Sequence, residues 1–410
     1  MLYLNYKFVK ILNNQIIFAP FKNKKVIGEE SKITVFFNNQ YHIYHVQKAT
    51  FDDNKMVFDI QKLIKKSDCH FNFPIENVLF ANQDYIQFDH DVIEELFNLD
   101  LALSKTPISL NIKFKESQYI RFILIDLENN YFSEKYLSWD LWIQYENEFI
   151  AMKSSIDDSI KASNWNETRN CFQANREVLM KFLSKTGIDD IFKNENVISY
   201  RQFNILWSNE SLYIPFELIS PRLLVRYCVP AGEEQKKIQG NDMIMVYSQS
   251  LRNSGQEMLE IVECIQKNYN YECFSENHFH EYKQNFKTTS YFHFMGHGIT
   301  EKKNGYLLIN QQKTDNFLFA NNLHFVFLNC CHVGMYSEGI INSFIQGGVD
   351  YLIASPYQIP DDPMNFYQSK GFYELLYPDT KLSKVSFFLY SLLYPYFNQI
   401  YRLFSKFSDQ

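Results

Sequence analysis

Two short apolar runs set the tightest limit on how this chain can fold. Residues 291–294 (YFHF) and 324–329 (HFVFLN) have strand length and aromatic or β-branched content, and each stops at glycine-containing sequence. The first breaks at Met295-Gly296-His297-Gly298 and the second at Cys330-Cys331-His332-Val333-Gly334. Their surroundings alternate between strand and helix. Asp242 to Tyr247 reads as a buried strand, and Met258, Ile261, Val262 and Ile265 mark one face of the helix after it. A short strand follows at Tyr271 to Phe274 and a short helix at His278 to Phe286. Beyond the two opening runs come a helix over 337–346, stopped by Gly347-Gly348, a strand over 349–354, and helices over about 361–376 and 382–394. This alternation predicts a mainly parallel, helix-covered sheet with right-handed crossovers. Ligand and catalytic sites of such sheets form outside the carboxyl ends of the strands. If the two runs are parallel neighbours, an imidazole and a thiol meet there.

The chain before residue 200 has a different texture. Gly28 is the only glycine before Gly187, so the early turns rely on Asn and Asp, which tolerate left-handed geometry. Residues 1–145 read as a β-rich domain. Leu2, Leu4, Tyr6 and Phe8 alternate, Asn38-Asn39 separates two strand-like runs, and a further hairpin is expected from 49–51 to 56–58. Strands are also expected at Ile108 to Phe114 and at Tyr119 to Leu127. Residues 146–199 turn helical. Cys171, Phe172, Val178, Leu179, Phe182 and Leu183 fall on one stripe that Thr186-Gly187 ends, and an earlier helix carries Ile150, Ile156 and Ile160. From 200 onward, 204–207 and 212–214 suggest a hairpin through Ser208-Asn209-Glu210.

Composition narrows the function classes. A net charge of −7 gives no basic footprint for general nucleic-acid binding, though a small local basic site is compatible with it. Seven cysteines in no paired framework fit a reducing cytoplasm. The longest apolar run, 385–397, is interrupted by Pro395 and falls short of the ~20 residues that cross a bilayer, so no membrane partner is expected. Phosphate-cradling GxGxxG and GxxxxGK patterns, the GxSxG elbow, and CxxC or HExxH metal spacings are all absent from the sequence. Ser337 stands where a phosphatase-type cysteine loop needs arginine.

A thiol attacks well only as thiolate, and a neighbouring imidazole favours that form. Cys331 and His297 are therefore the candidate pair. Adjacent strand residues face opposite ways, which makes Cys330 the buried neighbour of Cys331 and turns His332 away from it. His293 reads as a packed core residue. Gly334 is expected to leave room for a substrate carbonyl near backbone N–H groups.

The segments His293-Phe294-Met295-Gly296-His297-Gly298 and Phe327-Leu328-Asn329-Cys330-Cys331-His332-Val333-Gly334 resemble the CHAT domain, a bacterial branch of the caspase–separase-like cysteine peptidases. The likeness continues in the same order through residues 347–355, the loop Tyr357-Gln358-Ile359-Pro360-Asp361 and the helix around Phe372-Tyr373-Glu374. Upstream, Pro215-Phe216-Glu217-Leu218 looks like the family's opening segment. Cys330 stands where the family usually has Ala, and Val333 where it usually has Thr.

The resemblance implies an α/β caspase-like domain over 200–410 after the β-rich part and a helical hairpin. It also implies a cysteine endopeptidase acting on a partner protein in a bacterial defence or cell-death pathway. Cys331 would be nucleophile and His297 its proton partner, with the Gly298 and Cys331 N–H groups as oxyanion hole. Asp361 and Asp362 are candidates for the substrate pocket, or simply solvated loop acids. Glu217 is expected to hold the opening segment through hydrogen bonds. No cofactor or metal is needed. An activating protein, complex or small-molecule ligand is expected to act through the N-terminal half. The alternative is a non-catalytic adaptor that keeps the fold for protein interaction.

Overall fold

Period-two patterning in the first hundred residues does form strands. The computed structural model describes residues 6–12, 15–20, 32–37, 40–52, 55–67, 85–86, 99, 102–115, 118–193, 198–207, 212–230, 237, 240–266, 269–278, 285–374, 382 and 384–407. Contacts divide the chain into one unit of 1–104 with 375–380 and a second of 105–374 with 381–410. In the first unit the backbone forms β1 (Tyr6–Leu12), β2 (Gln15–Pro20), β3 (Lys32–Phe37), β4 (Gln40–Asp52), β5 (Lys55–Ser67) and β6 (Tyr85–Ile86). They build one antiparallel sheet in the order β3-β4-β5-β2-β1-β6.

The register expected around Asn38-Asn39 is present, with Phe37 opposite Gln40; the two turn residues lie outside the described ones. The runs 41–46 and 49–51, expected as separate strands, are one strand, β4. Register shifts beside Tyr44, Val46 and Lys48 absorb the break in alternation between them.

The second unit begins with an antiparallel meander, β7 (Ile108–Lys115), β8 (Tyr119–Asp126) and β9 (Tyr131–Ser138). Two long helices follow. Helix α1 (Trp139–Lys161) starts on Ser138, whose Oγ accepts the Leu141 N–H at 3.4 Å, and α2 (Trp165–Thr186) starts on Asn164. Gly187 ends α2 at φ +66°, the left-handed cap that the sequence predicts. The sequence reading divides the chain at about 145 and 199. In space β7 pairs in parallel with β10 (Arg201–Trp207), so strands from before and after the helical hairpin share one sheet.

No 204–214 hairpin forms. β10 instead runs parallel to β11 (Leu223–Pro230), and residues 212–215 are not a strand. Nearly every side chain of β10 is buried, which removes the alternation that marks a hairpin strand.

The remaining elements are β12 (Asp242–Tyr247), α3 (Ser254–Ile265), β13 (Asn270–Ser275), β14 (Tyr291–Met295), β15 (His297–Glu301), β16 (Asn304–Ile309), β17 (Gln312–Thr314), β18 (Phe325–Asn329), α4 (Ile340–Gln346), β19 (Tyr351–Ala354), α5 (Pro363–Glu374), α6 (Lys384–Leu393), α7 (Pro395–Ile400) and β20 (Arg402–Phe407). Of the short helix expected over 278–286, residues 279–284 lie outside the described ones, and 285–287 form a single 3-10 turn.

The unit is an α/β protein with one large, mostly parallel mixed sheet of 11 strands, ordered β13-β12-β14-β18-β19-β20-β11-β10-β7-β8-β9. β19 and β20 are antiparallel neighbours inside it. Strand β12 sends the chain one way to β13, whereas β14 sends it the other way to β18. The connections thus diverge between β12 and β14, a topological switch point whose carboxyl edge is the expected place for a site. Behind that edge lies an aromatic core: Phe327 of β18 meets His293, Phe372, Phe397 and Tyr401 at centroid distances of 4.9–6.2 Å.

Candidate active site

The opening inference about the two apolar runs holds. β14 and β18 are parallel neighbours, with Phe294 opposite Leu328 and Met295 opposite Asn329. Their carboxyl ends lie side by side, next to the switch point between β12 and β14. His297 starts β15 and Cys331 lies in the loop that leaves β18. Gly298 explains how closely these segments approach. A Cβ there would stand 2.5 Å from the Cys331 carbonyl oxygen, 2.7 Å from Val333 Cγ1 and 3.0 Å from Cys330 Sγ. Only glycine lets β15 lie directly on the Cys331 loop.

Cys330 is buried and Cys331 partly exposed, as expected, although both lie just past the end of β18. His293 is fully buried, with Nδ1 2.7 Å from the Tyr373 hydroxyl. His297 and Cys331 are not hydrogen-bonded to each other. His297 Nε2 lies 2.9 Å from Ser250 Oγ, in the loop after β12, and Ser250 in turn bonds Ser248. Cys331 Sγ donates to the Ile359 carbonyl at 3.4 Å and accepts the Ile359 N–H at 3.3 Å. The segment after β19 therefore covers the sulfur. Burial is the main cause that pushes the Cys331 thiol up; Asp157 adds to it, while the Ile359 N–H and Lys153 oppose it.

A buried charge cluster beside the thiol gave no warning in the sequence. Lys153 Nζ sits 2.6 Å from Asp157 Oδ2, one helical turn along α1, and 3.0 Å from His332 Nδ1. Asp157 Oδ1 also accepts the Gln358 N–H at 2.7 Å, tying the covering segment to α1. His332 is thus turned away from Cys331, as expected, but toward a specific partner. It takes a left-handed φ of +62°. Burial and the Lys153 charge both push its pKa down, so the imidazole stays neutral and accepts from the ammonium.

The oxyanion and pocket expectations fare differently. His332 N–H bonds the Tyr357 carbonyl, Val333 N–H the Cys331 carbonyl and Gly334 N–H the Ser355 carbonyl, at 2.8–3.0 Å. The Cys331 N–H has no acceptor within the described protein. Gly334 does not open space for substrate, contrary to expectation: a Cβ there would meet Ala354 O at 2.6 Å, so the glycine serves packing against the end of β19.

Asp361 accepts the backbone N–H groups of Arg252 and Asn253, at the start of α3. The Asn253 N–H is one that a helix start leaves unpaired. Asp362 accepts from Ser163 Oγ at 2.7 Å. Both acids border a cleft with Glu257, Met295 and Asn329, but its volume is about 30 Å³, room for a water rather than a side chain. A larger cavity of about 710 Å³ lies past Gly298, between α1, the β15–β16 turn and His332–Tyr336.

A fully buried ion pair fixes the loop from behind. Arg402, the first residue of β20, places Nε 3.0 Å and Nη2 2.9 Å from Glu217 Oε1. It also donates to the carbonyls of Gly334, Met335 and Ile214. Tyr227 donates to the other Glu217 oxygen. Glu217 therefore does hold its segment by hydrogen bonds, and the partner it needed was the undetected β20.

No protein-family model and no curated protein matches the chain. Among the described residues no three His, Cys, Asp or Glu side chains converge as a metal set, and no helix is long and apolar enough to cross a membrane.

Proposed function

We propose that the second unit is a cysteine endopeptidase of the caspase-like, CHAT type, with Cys331 as nucleophile and His297 as proton carrier. The observation that carries this reading is the parallel pairing of β14 and β18, which brings both residues to one carboxyl edge next to the switch point, with Gly298 pressed on the Cys331 backbone. The free Cys331 N–H supplies one oxyanion donor. In the reaction the thiol passes its proton to His297, the sulfur attacks the scissile carbonyl, and the imidazolium protonates the leaving amine. An extended peptide has room in the cavity beside β15. Regulated cleavage of a partner protein, in a defence or cell-death setting, is the corresponding role.

The covered thiol and the His297–Ser250 bond favour a resting state in which Ile359 must move before Cys331 reacts. They equally motivate the adaptor reading, in which Cys331 never reacts. One experiment separates the two: screen the full chain against a peptide library and label it with a thiol-directed acyloxymethyl ketone, beside Cys331→Ala and His297→Ala. The peptidase reading expects cleavage and labelling that both substitutions abolish. Labelling of Cys331 that ignores His297, with no cleaved peptide, supports the adaptor.

A further inference from the structure

Away from this edge, α2, α7 and the turn before β11 enclose a second cavity, of about 590 Å³. That is within the usual size of small-molecule sites and far larger than one phosphate needs. Its charge is one-sided. Arg169, Arg176 and Arg222 line it, with no carboxylate among the described lining residues, in a chain whose net charge is −7.

Each guanidinium is held by a contact that occupies its Nε or its flat face. Arg169 Nε donates to the Tyr396 hydroxyl at 2.6 Å, with the group 5.6 Å from that ring. Arg176 Nε donates to the Ile219 carbonyl at 2.8 Å. Arg222 stacks over Tyr200 at 5.5 Å. Neither Arg169 nor Arg222 has an ion-pair partner among the described residues. Phe172 and Tyr396 add an aromatic wall, their rings 6.5 Å apart.

Isolated surface arginines are ordinarily just solvated. Two exposed arginines, Arg169 and Arg222, that line one cavity together with Arg176, with no described carboxylate in its wall and each held by a hydrogen bond or a ring, match an anion with several oxygens, because the guanidinium fork binds phosphate bidentately. We propose that this groove is a binding site for a small polyphosphate-bearing ligand of nucleotide size. The charged end meets the arginines and a flat apolar end lies on the Phe172–Tyr396 wall. The site is independent of the peptidase reading.

Titration calorimetry of the full chain with ATP and with inorganic tripolyphosphate tests it. Both probes are expected to bind at one site, ATP the tighter, with affinity falling as salt rises from about 50 to 200 mM. The variants Arg169→Gln and Arg222→Gln should each weaken binding about tenfold. Both change exposed side chains, so thermal unfolding should stay unchanged. Arg169→Lys should fail to restore affinity, since the ammonium lacks the fork. The proposal is overturned if neither probe binds by about 1 mM, or if the arginine variants bind both probes as well as the parent does.

Discussion

Two strands that run side by side hand their chains to very different supports. β14 passes through Gly296 straight into β15, whose ladder with β16 sets His297 opposite Leu308 and Gly298 opposite Leu307. β18 passes into residues 330–339, which belong to no named strand. That loop is held by two isolated backbone bonds, from His332 and Gly334 to Tyr357 and Ser355, and by side chains: Arg402 on the Gly334 and Met335 carbonyls, Lys153 on His332, and Thr300 Oγ on the His332 carbonyl. The imidazole end thus rests on a regular ladder, and the thiol end on scattered bonds in which buried charges take a large share. A ladder tolerates the loss of any one side chain. A loop that depends on a buried charge for two of its carbonyls does not, so the two ends should respond to substitution on different scales.

The largest effect belongs to Arg402→Met. Arg402 and Glu217 side chains are each 1% exposed, and removing one partner strands the other charge in the interior. Breaking such a pair costs about 3–5 kcal/mol. The urea midpoint should fall accordingly, and Cys331 should become accessible to thiol reagents before global unfolding. A variant as stable as the parent would show that the loop is held by something else. Gly298→Ala probes the seam where the two ends touch. Its Cβ would have to displace the Cys331 backbone and Val333, a cost of about 1–3 kcal/mol for overpacking. Peptide cleavage should be lost while the first unit is untouched. Full activity in this variant would mean that the close approach is incidental.

Which of these features could be read beforehand follows from how local each one is. The pairing of β14 with β18, the identity of the buried cysteine and the Gly187 cap rest on patterns within a few residues, and they were legible. β20 was not. Its sequence RLFSKF puts Arg402 and Ser405 at buried positions, which breaks the apolar pattern until Glu217 is known to face it from 185 residues away. β9 failed for the opposite reason: its large apolar side chains Phe132 and Tyr136 are 64% and 50% exposed on an edge strand. The Lys153–Asp157 spacing looks like an ordinary surface pair on a helix. Only the fold, by placing His332 and Gln358 against α1, makes it part of the candidate site.

That cluster offers a gentler perturbation. Asp157→Asn keeps an oxygen for the Gln358 N–H but removes the negative charge that helps to hold the Cys331 thiol up, while Lys153 still opposes it. With the anion gone and the cation left, thiolate forms at lower pH. Iodoacetamide modification of Cys331, followed by mass spectrometry across pH, should shift its midpoint downward, raising the neutral-pH rate about threefold. An upward shift would mean that the Lys153 ammonium loses its place without Asp157, making the carboxylate a positioning residue rather than a simple charge.

The smallest effect should come from the imidazole end. Ser250→Ala removes the 2.9 Å contact to His297 Nε2, yet the β15 ladder still fixes the His297 backbone. Stability should change by no more than about 0.5–1.5 kcal/mol, the worth of one partly exposed hydrogen bond. What should change is the ring. Freed from Ser250, it can turn about its side-chain bonds, and if it serves Cys331 the His297-dependent part of the alkylation rate should hold or rise. A fall to the level of His297→Ala would show that Ser250 orients the imidazole for the thiol. The contrast would then be sharper: the ladder sets where His297 sits, and a single hydroxyl sets where it points.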